Sequence, residues 1–268
     1  MSLRIVVCVK RVLDPEIPAR AFGVDPSGLA PVITGLPAAM VIDSYAENAL
    51  ETGIQLRDNV PGSRLIALCL GDTGCDDVLR RALAFTADDA VRCWDPAWAD
   101  LDGLAVGHIL AQAIRAEGGA DVILCGRQAG DIEESVVPGA LAEALDATCI
   151  TAALSVEPAS VGLRVGRDAD GTLVRVLSSI PAVISVGSSA ANVPRMPKTK
   201  DAMLARRKAI RTYDADALVI DLERGASGTQ LVRLELPVQA GSCTLIGATE
   251  PAAQAAELIR HFVSLHLV

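Results

Sequence analysis

Asp131, Glu133, Glu134 and Ser135 put three carboxylates and a hydroxyl within five residues, directly after Gly126-Arg-Gln-Ala-Gly130. Two kinds of chemistry suit the carboxylates: acid or base work at a reacting centre, or complementing the positive end of a helix. Ser135 and free backbone N–H groups at a helix start would also bind an anion such as phosphate. The other chemistry-bearing residues are dispersed. His108, His261 and His266 are too scattered for a zinc site, and His108 falls within a predicted helix. Cys8, Cys69, Cys75, Cys93, Cys125, Cys149 and Cys243 lie mostly in apolar runs without CxxC spacing. They read as small core residues in a reducing compartment, so neither a metal site nor an independent catalytic centre is expected. No GxGxxG follows the first strand and no P-loop occurs, which leaves backbone amides around Ser135 to Val137 as the route to a nucleotide.

The elements flanking this cluster explain its placement. Val122 to Cys125 is a short apolar run closed by Gly126, as a strand covered on both faces should be. From Glu134 or Ser135 the period becomes helical, with Val137, Leu141 and Leu145 every four residues. The carboxylates therefore sit between the carboxyl end of a strand and the amino end of a helix, where open α/β sheets bind ligands. An ordinary βα loop without a ligand has the same pattern.

Composition limits the rest. Of 268 residues 51% are hydrophobic but only 3% aromatic, so Val, Leu, Ile and Ala must fill the core, as in parallel sheets between helices. A net charge of −9 and few aromatics argue against nucleic-acid binding. No apolar run reaches the ~20 residues that span a bilayer, and the amino terminus enters a strand at once, so no stable membrane insertion and a cytoplasmic location are expected.

Along the chain, strands are predicted at Arg4–Val9, Leu65–Leu70, Ala90–Trp94 and Val122–Cys125. Helices are predicted from Ser44 to about Arg57, over Asp76–Ala84, over Leu101–Arg115 and after the central loop. Ser44 and Glu47 have capping-box spacing. A long loop runs from Lys10-Arg11 to about Val41, as if to cover a site or a partner. The alternation implies an α/β fold with a doubly wound, mostly parallel sheet. Asp168-Ala-Asp-Gly171 reads as a hairpin turn between Leu163–Arg167 and Thr172–Leu177, followed by a last strand over Pro181–Val186. Residues 1–210 then form the α/β domain. Residues 211–268, with weak periodicity and a final helix from about Pro251, form an arm laid on the domain or on another subunit. The basic run Lys198, Lys200, Arg206, Arg207, Lys208 and Arg211 fits a solvated face or a contact surface.

Several segments together resemble the β subunit of electron transfer flavoprotein. They are Val9-Lys-Arg-Val12, Ser44-Tyr-Ala-Glu-Asn-Ala-Leu-Glu51, Arg81-Ala-Leu-Ala84 before Ala87-Asp88, Gly126-Arg-Gln-Ala129 with Asp131, and Pro194-Arg195 before a basic helix. The likeness runs from Arg4 to about Lys208. It implies an adenine-nucleotide α-hydrolase-like fold whose extended carboxyl-terminal arm wraps an α subunit holding most of the redox FAD. It further implies AMP, or a second FAD, in the β subunit, bound by Cys8, Asp43, Leu70, Gly126, Ala129, Asp131, Ile132, Ser135, Val136 and Val137. Asp43 stands where the family generally has Asn, and Val136 where it has Gln. The resemblance also implies that a loop at Pro194 and Arg195 docks a flavin-dependent dehydrogenase through an apolar anchor. Thr199 occupies the anchor's place in ungapped register, with Met196 the neighbouring apolar residue and Arg206 and Arg207 beside it. The implied function is an electron carrier between that dehydrogenase and a downstream acceptor. A stand-alone adenine-nucleotide sensor of the same fold is the rival reading, and an adenylating enzyme is disfavoured by the lack of Lys, Arg or a Gly-rich loop at the phosphate end.

Overall fold

The computed structural model describes residues 2–218, 227–237, 241 and 243–267. Two compact units divide the chain, Met1–Leu234 and Glu235–Val268. In the first unit the chain runs β1 (Arg4–Cys8), β2 (Arg11–Leu13), β3 (Phe22–Val24), β4 (Pro31–Ile33), β5 (Met40–Ile42), α1 (Ser44–Asn59), β6 (Arg64–Leu70), α2 (Asp76–Ala84) and β7 (Asp89–Cys93). It continues through α3 (Gly103–Ala116), β8 (Val122–Gly126), α4 (Val137–Leu145), β9 (Thr148–Pro158), β10 (Leu163–Ala169), β11 (Thr172–Ser178), β12 (Ala182–Val186), α5 (Thr199–Ala205) and β13 (Arg211–Tyr213). The second unit carries α6 (Pro251–Ser264).

Nine strands make the main sheet in the order β11-β10-β9-β12-β8-β1-β6-β7-β13. All neighbours from β9 to β13 are parallel, and only β10 and β11 run antiparallel at one edge. From β1 the chain winds outward through β6 and β7, then returns to β8 on the other side of β1. The order therefore reverses between β1 and β8, where Cys8 and Cys125 are register partners. That is the switch point at which doubly wound sheets open a crevice beyond their strand ends.

Burial on both faces explains the continuous apolar strands. Val7, Leu65, Leu124 and Ile184 pack toward α1 and α2, whereas Val6, Leu68, Ile123 and Val183 pack toward α3 and α4. Gly53 lets α1 lie directly on the sheet: a Cβ there would come within 2.8 Å of Leu65 and 2.9 Å of Val7. The Asp-Gly turn forms as expected, with Asp170 at φ 52° and Gly171 at φ 77°, and Asp168 accepts from the Gly171 N–H at 2.9 Å.

Four local expectations change. The segment from Arg11 to Ile42 is not a plain loop, because β2 pairs with β5 and β3 with β4 in two small antiparallel sheets. Strands of three residues are too short to leave a period. The cap of α1 is Asp43 rather than Ser44, and Glu47 pairs with Arg81 instead of closing a capping box. Strand β9 is hidden in the sequence because its register shifts twice, against β12 around Ala152 at φ 57° and against β10 at Leu154, which breaks the alternation. The basic helix, expected over Asp201–Ile210, instead spans Thr199–Ala205, so Arg206 and Arg207 follow it as exposed residues.

Candidate functional site

The predicted nucleotide residues Cys8, Leu70 and Gly126 end three adjacent parallel strands, and Asp43 caps the helix beside them. Gly126 must be glycine at this spot, since a Cβ would stand 2.9 Å from Tyr45 Cβ and 3.0 Å from the Ala46 nitrogen. The strand end and the first turn of α1 are thereby in direct contact.

Asp43 is the structural hinge of the rim. Its side chain is almost fully buried, and one oxygen accepts from the N–H groups of Tyr45 (3.0 Å) and Ala46 (3.1 Å). The other oxygen accepts from the Gly130 N–H at 2.7 Å, tying α1 to the central loop. Lys10, directly after β1, donates to Asp131 at 2.7 Å, and the same carboxylate oxygen accepts from the Ile132 N–H at 2.9 Å. The Ala129 carbonyl accepts from the Glu133 N–H, which closes the loop on itself. Ile132 projects from it, 63% exposed.

Helix α4 starts at Val137, two residues or more later than the apolar period suggests. Glu133 and Ser135 both take φ 58°, a left-handed conformation that no helix continues. Val136 is the N-cap, without a side-chain hydrogen bond, and Pro138 occupies the first turn where its missing N–H costs nothing. The N–H groups of Val137 and Gly139 are left to an incoming acceptor, with open space around Gly139 and the exposed Ser135 hydroxyl nearby in sequence. Asp131 is engaged elsewhere, and Glu134 lies against another helix. Asp131 meets Lys10, and a Glu134 oxygen lies 3.1 Å from the place of a Gly103 Cβ, at the start of α3. This donor set fits one phosphate group. Val136 packs against Gly103 and supplies no polar contact.

The predicted docking residues form a second group. Ser189 and Asn192 make a capping box, and Asn192, itself buried, accepts at its carbonyl from Asn48 of α1 at 3.0 Å. Arg195 donates to both oxygens of Glu51 on α1, at 2.8 and 2.9 Å, and reaches Asp58 at 3.4 Å. Burial works to raise the Glu51 carboxyl, but hydrogen bonds from Arg195 and Gln55 outweigh it and hold the group below its ordinary value. Between the half-buried Pro194 and Pro197, Met196 stands 87% exposed. Thr199 opens α5 as an exposed residue.

Sequence reasoning passed over Lys10, Gly130 and Glu51 as site residues. Glu51 carried a signal, because it lies beside Leu50 and Ile54 on the buried side of α1, where a carboxylate needs a cation. Two cavities lie away from the rim. One of about 300 Å³ is lined by Ser155, Arg164 and Arg175 on the antiparallel edge, and one of about 400 Å³ by Arg4, Arg64 and Glu117 at the opposite ends of the strands.

Comparison with known proteins bears on this geometry. The sequence profile of the electron transfer flavoprotein domain matches residues 37–218. The electron transfer flavoprotein β subunit of Megasphaera elsdenii is 31% identical over 85% of this chain and 84% of its own. The human protein of the same name is 30% identical over 93% and 94%. The caffeyl-CoA reductase-Etf complex subunit CarD of Acetobacterium woodii is 25% identical over 99% and 100%.

Proposed function

This chain belongs to the electron transfer flavoprotein family as a β-type subunit, and from that premise we propose that it works as half of an αβ heterodimer. The pair passes electrons from a flavin-dependent dehydrogenase to a downstream acceptor. FAD, held mostly by the α subunit, supplies the redox chemistry, while this chain supplies position and electrostatics. An adenine nucleotide, AMP or the corresponding part of a second FAD, occupies the rim of β1, β6 and β8. Its phosphate rests on the Val137 and Gly139 N–H groups and Ser135, in a loop held by Asp43 and Lys10. Docking of the dehydrogenase uses Met196 as apolar anchor, with Arg206 and Arg207 steering encounter. The seven thiols and the absence, among the described residues, of a helix able to cross a membrane support a cytoplasmic carrier.

The observation that carries the heterodimer is α6. No residue of this helix is buried, and Leu258, Ile259, Phe262 and Val263 give it an apolar stripe exposed by 37% or more. A lone helix of 14 residues is marginal in water, so such a stripe needs a surface to cover it. Hydrogen exchange over Pro251–Ser264 is therefore expected to slow when an α subunit is added to the isolated chain. Equal exchange with and without the α subunit would remove the arm from the interface.

A further inference from the structure

Cys8, Cys69, Cys93 and Cys125, dispersed in sequence, lie at the carboxyl ends of β1, β6, β7 and β8, and Cys75 follows β6. Cys69 lies one residue before the end of β6 and is fully buried. Cys75 closes the short 3-10 turn Thr73–Cys75 that follows, and is 6% exposed. Both sulfurs approach the same Leu70 carbonyl oxygen, at 3.9 and 4.0 Å, which brings the two thiols to one point of the rim. Gly71 makes this approach possible: a Cβ there would stand 2.4 Å from the Cys75 sulfur.

Cations surround the pair. The Arg11 guanidinium lies over Gly74, with one terminal nitrogen 2.6 Å from where its Cβ would be, and the buried Arg11 Nε has no hydrogen-bond partner. Arg92, paired with Asp76 at 2.9 Å, adds a second positive charge, and Asp72 opposes them. The hydrogen bond from Cys69, helped by Arg11 and Arg92, lowers the Cys75 thiol below its ordinary value despite burial. Two neighbouring thiols lack that support. The Cys8 thiol is raised by its hydrogen bond with Cys125 and by burial, and burial pushes the Cys93 thiol up to about 12. Among the described residues no group of His, Cys, Asp or Glu is arranged to hold a metal ion, so the cluster is not a metal centre.

We propose that Cys69 and Cys75 form a reversible dithiol–disulfide site that reacts with small hydroperoxides. The Cys75 thiolate attacks one peroxide oxygen, the O–O bond breaks, and Cys75 becomes a sulfenic acid while the departing hydroxide is protonated to water. Cys69 then attacks that sulfur, the S–O bond breaks, and hydroxide leaves with the Cys69 proton as a second water. Overall the two thiols give up two electrons and two protons, and the peroxide becomes two waters. The disulfide pins the 3-10 turn to the end of β6, on the rim where Leu70 lies.

The site is tested on the purified chain by adding hydrogen peroxide, quenching in acid, alkylating free thiols and mapping peptides. Cys69 and Cys75 share the tryptic peptide Leu65–Arg80. That peptide is expected to escape alkylation at both positions and to weigh two hydrogen atoms less, and dithiothreitol should restore full labelling. In Cys69→Ser, Cys75 should instead accumulate as a sulfenic acid trapped by dimedone. Full alkylation of Leu65–Arg80 after peroxide, or oxidation confined to the exposed Cys149 and Cys243, would overturn the proposal. So would irreversible oxidation of Cys75 without a disulfide. The wild-type map decides even if the variant fails to fold.

Discussion

Replacing Arg195 by Ala is expected to lower the unfolding free energy by about 3 kcal/mol, because it strands a buried carboxylate. The Glu51 side chain is 4% exposed, and only Gln55, at 2.9 Å, and the backbone N–H of residue 195, at 3.3 Å, would remain to hydrogen-bond it. The reverse change, Glu51→Gln, should cost only about 1 kcal/mol, since Arg195 is 39% exposed and water takes over its solvation. The asymmetry has a pH signature. In the native protein Glu51 is held below its ordinary value of 4.5, so its contribution is present above that value and fades as pH falls through the depressed folded value. In Arg195→Ala the guanidinium that opposes burial is gone and only the Gln55 and backbone hydrogen bonds remain, so the folded value is expected to rise and protonation to relieve part of the penalty. The gap between the two proteins should therefore narrow as pH drops from 7 toward 4, read from urea midpoints. A gap independent of pH would mean that lost packing, not the stranded charge, is responsible. Arg195 and Met196 are adjacent, so the same variant should also slow flavin reduction by the dehydrogenase if the loop docks it.

Asp43→Ala carries the second large effect. It removes the one oxygen that caps both the Tyr45 and Ala46 N–H groups and leaves the Gly130 N–H without its acceptor, for a loss of about 3 kcal/mol. Asp43→Asn separates the two roles. Its amide oxygen can still cap Tyr45 and Ala46, but its amide nitrogen would face the Gly130 N–H, donor against donor. About half the loss is then expected, with faster exchange concentrated in residues 127–136. Equal losses in Ala and Asn would assign the whole effect to the Gly130 tether and none to the cap.

These residues also show what the chain discloses before it is folded. Val122 to Gly126 is legible as a buried strand because nothing polar interrupts it, and α2 because Val78, Leu79, Ala82 and Leu83 keep the helical spacing. The start of α4 is not legible, since Glu133 and Ser135 take left-handed conformations that neither residue type requires. The cap of α1 is misread for a different reason. Asp43 and Ser44 are both good caps, and only the buried tether to Gly130, 87 residues away, selects the first. Glu51 and Arg195 lie 144 residues apart, so their pairing is a product of topology that no local pattern encodes. The resemblance supplied the positions of the rim and of the proposed docking loop; the hydrogen bonds that hold them came from the fold.

Whether this chain completes a flavin carrier or acts alone is decided by co-expression with an electron transfer flavoprotein α subunit, with a tag on the α subunit only. An equimolar yellow complex with the absorbance of FAD is expected, with an adenine nucleotide released from it on denaturation. A colourless, stable homodimer of this chain, formed while the α subunit elutes without it, would contradict the account and favour a nucleotide sensor.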